Sequence, residues 1–482
     1  LLLRAAGAPS RYVEGTVDLP IEKARNLTGI TDNSSLGSLF ASAGIPTVLI
    51  SDGTGVVTVR IEHTWVEAYV DYDPLGGAKA GPGDLWVPLS AWYKPQVNDE
   101  GLDIVSDSGF NSDTFLNDFI KTVRSDSVVD GFKLFLDDYL KGTTPGISWQ
   151  DSLKTQEIEN ELFRTLPNTL NFEVVSINAE YAELPDSLRH KITISLPGLG
   201  LSHGINLSEV VGRRVTLSYP PADEASRILI DSSGGIENVD PLSVNLLPSL
   251  KIEGETVSTG TIVRAGYTQT LRTVFQMPGA GSDTVDYSII SGAYYAVGLD
   301  PQLVSTAYLS ERIAEHISTV GNVSESTDNM DDITGEILYL AVMRYFNDVN
   351  AGDKTIAQAL KSVFLKQTSG AITGKTLSVS YLFGTPADLG PGGYFVDAKR
   401  NIYTPISSTG DNDDELDFML VGGYNSSFYE HELFESFFNL NAISTLKLLA
   451  LASEADMPIY DIDSSNVGSI LPLLTLNSSV KS

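Results

Sequence analysis

The residues best placed to do chemistry lie in one stretch, Ile61-Glu62-His63-Thr64-Trp65-Val66-Glu67-Ala68-Tyr69. An imidazole is the side chain whose ordinary pKa falls nearest neutrality, so it can take up and give back a proton in one reaction. His63 is the only histidine in the first third of the chain. Val57, Val59, Ile61, His63, Trp65 and Tyr69 fall on one side of this stretch, and Thr58, Arg60, Glu62 and Thr64 on the other. A period of two predicts a half-buried strand over Val57–Val70, with His63 and Trp65 facing inward. An inward histidine is either a satisfied core residue or part of a site, and the first is the commoner fate.

Other segments must position it. Leu1 to Gly7 reads as the last turns of an amphipathic helix closed by Gly7, which places the helix start upstream of Leu1. Residues 8–17 read as a turn and a strand. Residues 18–55 read as loop-rich, with a helix over Leu36–Ala43. Asp71 to Asp84 is a polar connection rich in glycine and proline, and Leu85-Trp86-Val87-Pro88-Leu89-Ser90 is a return strand. Two strands joined by one loop are expected to pair antiparallel.

Three of these segments together resemble the transglutaminase-like family, a branch of the papain-type cysteine peptidase fold. They are Leu3-Arg4-Ala5-Ala6-Gly7-Ala8-Pro9-Ser10-Arg11-Tyr12-Val13-Glu14-Gly15, then His63-Thr64-Trp65-Val66-Glu67, then Trp86-Val87-Pro88-Leu89. The resemblance implies a cysteine helix running into the first segment, His63 as base, and an aspartate after the third to orient the imidazole. Trp65 would wall the site. A thiolate needs an adjacent base, and the base needs a third group to hold it. Ser90 stands where the family has aspartate. A serine can hydrogen-bond an imidazole but brings no charge to stabilise imidazolium. Asp71, Asp73 and Asp84 are alternative carboxylates, all in or beside the connection. The sequence holds no cysteine, so thiol catalysis would need a nucleophile outside it.

Beyond residue 97 the pattern changes. Residues 98–168 follow a helical period, with Phe115, Phe119 and Val123 on one helix, Phe132, Leu136, Tyr139 and Leu140 on a second, and Ile158, Leu162 and Phe163 on a third. Alternation returns over 169–295 in six runs: 174–181, 190–196, 214–219, 227–230, 261–273 and 284–291. Their spacing suggests an antiparallel β-sandwich. Residues 296–375 read as helical, with Leu309, Ile313, Ile317 and Val320 on one stripe and further helices at Ile337–Phe346 and Ile356–Leu365. Residues 376–482 read as mixed α/β. They comprise a strand pair at Leu377–Leu382 and Gly393–Val396, an acidic loop at Asp411–Asp417, a helical region over Glu430–Ser453 and a short strand at Pro458–Tyr460. The expected fold class is therefore mixed α+β and multi-domain: a truncated transglutaminase-like module (1–97), a helical connector (98–168), a β-sandwich-like domain (169–295), a helical region (296–375) and a mixed α/β end (376–482).

Segments around Pro185–Ile192, Gly335–Leu338, Glu430–Glu435 and Ser444–Tyr460 are similar to regions that follow transglutaminase-like domains in large secreted bacterial proteins, many of which carry RHS or YD repeats. That similarity implies an exported, multi-domain, cell-surface or released protein.

Other features carry less. Glu430-His431-Glu432 with Glu435 lacks the second histidine of a zinc HExxH helix, and acids at a helix start explain it. His316 lies on the apolar stripe of its helix, and nothing groups His190 or His203 with His63. The Asp411–Asp417 run lacks the glycine and closing glutamate of an EF-hand loop and reads as solvated. Asparagine sequons such as those at Asn26, Asn206, Asn322 and Asn425 are near chance in a chain this rich in serine and threonine. No metal or cofactor is expected. The 482 residues carry 62 acidic against 31 basic side chains, a formal charge of −31. Such a chain repels phosphate backbones and anionic membrane surfaces, which argues against nucleic acid as a partner. No apolar run is long enough to span a bilayer.

Two functional readings follow. One is an extracellular structural or scaffold component of a surface assembly or filament, built on a degenerate transglutaminase-like module. The other is a cysteine-dependent acyl transferase or peptidase, with His63 as base and its nucleophile upstream. Ser90 and the missing thiol favour the first. The expected partners are the rest of a longer polypeptide, further copies of the chain, or other surface proteins.

Overall fold

The computed structural model describes the chain except for residues 1, 72–84, 161–167, 235–238, 279–280, 300–304, 321–326, 364–375, 382–393, 396–398, 401–404, 411–413, 440 and 475–482. Helix and sheet are mixed, and the described strands fall into several separate sheets.

A short helix α1 (Leu2–Ala5) leads through Gly7, at φ +82°, into β1 (Ser10–Pro20). Helices α2 (Ile21–Thr28) and α3 (Asn33–Ser42) follow. The first was not expected: its buried Ile21, Ala24 and Thr28 sit three and four residues apart, and Gly29 closes it in the left-handed conformation. The second begins where the Asp32 carboxylate accepts the Ser35 N–H. Strands β2 (Thr47–Ser51), β3 (Val56–Val70) and β4 (Leu85–Leu89) complete the run. β3 pairs antiparallel with β1, β2 and β4. Val13, Val17 and Leu19 of β1 lie opposite Trp65, Ile61 and Val59 of β3, and all six are buried. The return strand therefore forms where the alternation placed it.

The chain then forms β5 (Gln96–Asp99) and helices α4 (Ile104–Ser108), α5 (Ser112–Phe119) and α6 (Val128–Thr143). Two of the three expected connector helices are present, although Val123 lies beyond the end of α5. The third is corrected in part. Ile158 ends a strand, β6 (Thr155–Ile158), which pairs with β5; Leu162 and Phe163 lie outside the described residues. Strand β7 (Glu173–Tyr181) pairs with β1 and not with the strands that follow it. The expected boundary at residue 169 is thus crossed by a sheet. Alternation marks a strand but does not say which strand it joins.

Next come β8 (Lys191–Leu196), β9 (Leu201–Asn206), helix α7 (Leu207–Val210) and β10 (Val215–Ser218). Residues 227–230, expected as a strand, lie in helix α8 (Glu224–Ser232). The Asp223 carboxylate caps it by accepting the Ser226 N–H. Strands 268–277, 281–290, β8 and β9 form one antiparallel sheet, and β10 pairs with strands 249–252 and 294–299 in another. Ile192, Ile194, Leu217, Leu250, Leu271 and Tyr295 share one buried core between them.

Helix α9 (Thr306–Val320) precedes α10 (Thr327–Ala359). The helices expected at 337–346 and from 356 are one continuous helix, because no proline or cap interrupts residues 347–355. The strand expected at 377–382 is present over Thr376–Tyr381 and pairs with strand 294–299, while Tyr394–Phe395 pairs with Ala442–Ile443; the two expected partners do not pair with each other. Asp414, Glu415 and Asp417, expected in an acidic loop, form the first turn of α11 (Asp414–Phe438), where acids favour the positive end of the helix dipole. Residues 411–413 lie outside the described residues. Glu430, His431 and Glu432 therefore sit in the last third of α11, not at a helix start. Helix α12 (Thr445–Glu454) follows, and Pro458–Tyr460 is not a strand. No helix among the described residues is long and apolar enough to cross a membrane.

Candidate functional site

β3 carries His63 and Trp65 on the face that packs against α2 and α3, as its alternation requires. Directly opposite His63 on β1 is Gly15. A side chain there has no room: a Cβ would lie 2.3 Å from the Ser176 carbonyl oxygen and 3.0 Å from the Trp65 ring. Gly15 thus lets β7 and the Trp65 indole close over the strand beside His63.

Ser90 follows the last residue of β4 and returns to His63. Its Oγ lies 3.3 Å from His63 Nε2 and also accepts the Trp92 backbone N–H at 3.3 Å. The sequence-predicted trio of His63, Trp65 and Ser90 is therefore brought together. Asp71 closes β3 and makes no charge interaction that reaches the imidazole, while Asp73 and Asp84 lie outside the described residues.

Aromatic rings complete the surroundings. The Trp92 ring lies 4.9 Å from His63, Phe172 meets it edge-on at 5.2 Å, and Trp65 stacks at 6.4 Å. Burial among these rings lowers the His63 pKa to about 4, and no carboxylate among the described residues offsets it. At neutral pH His63 is an uncharged, half-buried imidazole and a weak base. The Ser90 hydroxyl beside it has no positive charge and no strong base to activate it, so the pair is a hydrogen bond without the makings of a nucleophile.

Glu67, four residues along β3 from His63, is the nearest acid in sequence on the same face, but it is turned away. Its Oε2 accepts Arg11 Nε at 2.9 Å and Nη2 at 2.7 Å, and its Oε1 lies 3.4 Å from Trp65 Nε1. The Arg11 guanidinium also stacks over Trp86 at 4.3 Å and pairs with Glu180 of β7. This network joins β1, β3, β4 and β7 and holds the sheet together. Arg11, Trp92 and Phe172 had not been singled out from the sequence. Trp92 is two residues from Ser90 and carried a local signal. Phe172 reaches the site only because β7 pairs with β1, over a separation of more than 150 residues.

The remaining histidines do not join the site. His190 precedes β8, and burial lowers its pKa. His203 lies on β9 opposite Ile194. His316 of α9 contacts Arg312 at 3.2 Å and lies 3.8 Å from Glu336. His431 is buried in α11 with its Nδ1 2.9 Å from Ser444 Oγ. Among the described residues no cluster of three or more histidine or acidic side chains could hold a metal ion. Comparison with family models, with curated proteins and with solved structures finds no match to this chain.

Proposed function

We propose that this chain is a structural component of an extracellular surface assembly, built on a transglutaminase-like sheet whose catalytic triad has degenerated. The observation that carries the reading is the packing of His63. Its ring is enclosed by Trp65, Trp92 and Phe172, its hydrogen bond goes to a serine, and its pKa lies far below the range useful to a general base at neutral pH. The residue that would orient a catalytic imidazole serves here to satisfy a half-buried one. The strong negative charge suits a protein that must stay soluble outside the cell, and the sequence similarity to segments of large secreted bacterial proteins points the same way.

The test is incorporation of a fluorescent primary amine into a glutamine-bearing protein. It is run with the intact polypeptide that carries this sequence and with its His63→Gln variant. Equal background in both is expected. Incorporation that depends on His63 would sink the scaffold reading and leave the acyl-transfer reading in its place. Antibody labelling of unpermeabilised cells checks the extracellular placement.

A further inference from the structure

Helix α12 is where the packed part of the chain stops. Its last turn is held at two points. Glu454 Oε1 accepts the Val123 N–H at 2.9 Å, and the Met457 N–H reaches back to the Ala452 carbonyl at 2.8 Å. Asp456 turns the chain there in the left-handed conformation, at φ +52°. Pro458 follows, and it cannot continue a helix. Residues 454–465 are exposed without a break, and none of residues 454–474 is buried. The short helix α13 (Val467–Ile470) and the 3-10 turn Leu471–Leu473 add nothing to the core.

Between these two parts the backbone is free. Residues 458–462 lie in neither helix nor strand. Among the described residues their N–H and C=O groups have one partner, the Asn466 side-chain amide, which donates to the Asp461 carbonyl at 2.9 Å. Tyr267 and Tyr308 are more exposed than Tyr460, at 50 % and 52 % against 37 %, but they are held differently. Tyr308 lies in α9. The Tyr267 N–H donates to Ser291 Oγ, and its carbonyl accepts the Ser291 N–H. An endopeptidase binds its substrate as an extended strand, through the substrate's own backbone groups. Free backbone, more than side-chain exposure, therefore decides where a folded chain is cut.

We propose that this chain is processed at the Tyr460–Asp461 bond by an endopeptidase that takes an aromatic side chain in its specificity pocket. Tyr460 is the one aromatic residue of 458–462, and free backbone flanks it on both sides. Water adds across the amide: the C–N bond breaks, Tyr460 keeps the new carboxylate and Asp461 the new amine. The piece that leaves begins at Asp461 and takes no buried side chain among the described residues with it. Processing here is independent of the scaffold reading, because the bond lies outside the sheet that carries His63.

The intact mass of the polypeptide recovered from the cells that make it, and from their medium, tests processing directly. A chain that ends at Tyr460 is expected, and one that runs on through Asp461 overturns the proposal. Brief digestion of the full chain with chymotrypsin tests the geometry. Terminal sequencing should find Asp-Ile-Asp-Ser-Ser while the bonds after Tyr267 and Tyr308 stay whole. Asp461→Pro removes an N–H that has no partner among the described residues, so it should abolish that terminus and leave the melting temperature unchanged. Tyr460→Asp, with no ring for the pocket, should do the same. Absence of the Asp461 terminus from the wild-type digest, or cutting after Tyr267 or Tyr308 ahead of it, overturns the assignment of the site. None of these readouts involves amine incorporation, so failure here and failure of the scaffold reading are told apart.

Discussion

His63 and His431 are chemically alike and stand in different parts of the molecule. His431 is buried and His63 half-buried, each contacts a serine hydroxyl, and desolvation lowers each pKa to about 4. What surrounds them differs. His63 is enclosed by three aromatic rings and meets Ser90 at 3.3 Å. His431 meets Ser444 at 2.9 Å, and that serine caps α12 by accepting the Lys447 N–H. Glu435 and Lys447 form an ion pair beside it, the first favouring and the second opposing its protonated form. One histidine is held by packing, the other by a hydrogen bond that also ties α11 to the start of α12. Neither is built as a base. A histidine next to a serine says little about chemistry until the third group is seen.

Four experiments would break or sharpen this comparison. The largest effect is expected from Trp65→Ala. It empties a buried site against Val13 and Gly15 and should lower stability by about 3–5 kcal/mol in urea denaturation, a loss typical of large-to-small core changes. A loss below about 1 kcal/mol would mean that packing does not hold His63.

The second is acidification. Both histidines have folded pKa values below the ordinary 6.5, so the unfolded chain binds their protons first. The stability they contribute is present above pH 6.5, declines as the pH falls from there towards 4, and levels below it. Each histidine should account for a loss on the order of 3 kcal/mol across that window. His63→Gln and His431→Gln should each flatten the denaturation midpoint between pH 6.5 and 4. Unchanged curves in both variants would refute the depressed values. The Ser35 N–H holds the Asp32 carboxyl below the usual carboxylate range, so Asp32 acts at lower pH, and the two glutamine variants separate the histidines from the half-buried acids Asp348 and Glu432, whose pKa values desolvation raises.

The third sets Ser444→Ala against Ser90→Ala. The first removes a helix cap and strands a buried imidazole, costing about 1–2 kcal/mol. The second removes a longer bond and should cost roughly 0.5–1 kcal/mol. Equal costs by thermal denaturation would erase the distinction drawn between the two sites. The fourth is Ser90→Asp. A carboxylate at this position should raise the His63 pKa by roughly one to three units, read by NMR titration of the imidazole protons. An unmoved titration would show that Ser90 does not govern the ring.

Much of the first sheet was legible in the sequence. The alternation from Val57 to Val70 placed β3, oriented His63 and Trp65, and with the following segment placed β4 and Ser90. These are local signals, since side-chain period and loop length act within one or two elements. What failed was also physical in origin. The short apolar run at 227–230 fits a strand or a helix equally until the Asp223 cap decides it. The pairing of β7 with β1, and of strand 376–381 with strand 294–299, depends on contacts far apart in the chain. Periodicity holds no information about them.

By itself, then, the sequence determined the acidic character, the lack of a thiol, the inward-facing His63 strand and the serine at its return. Composition and side-chain period are written residue by residue. Only the tertiary structure decided that Trp92 and Phe172 enclose the imidazole, that Glu67 turns to Arg11 instead of to His63, and that β7 joins β1. A side chain's proton affinity and a strand's hydrogen-bond partners depend on which distant segments arrive beside them, and that is fixed when the chain folds.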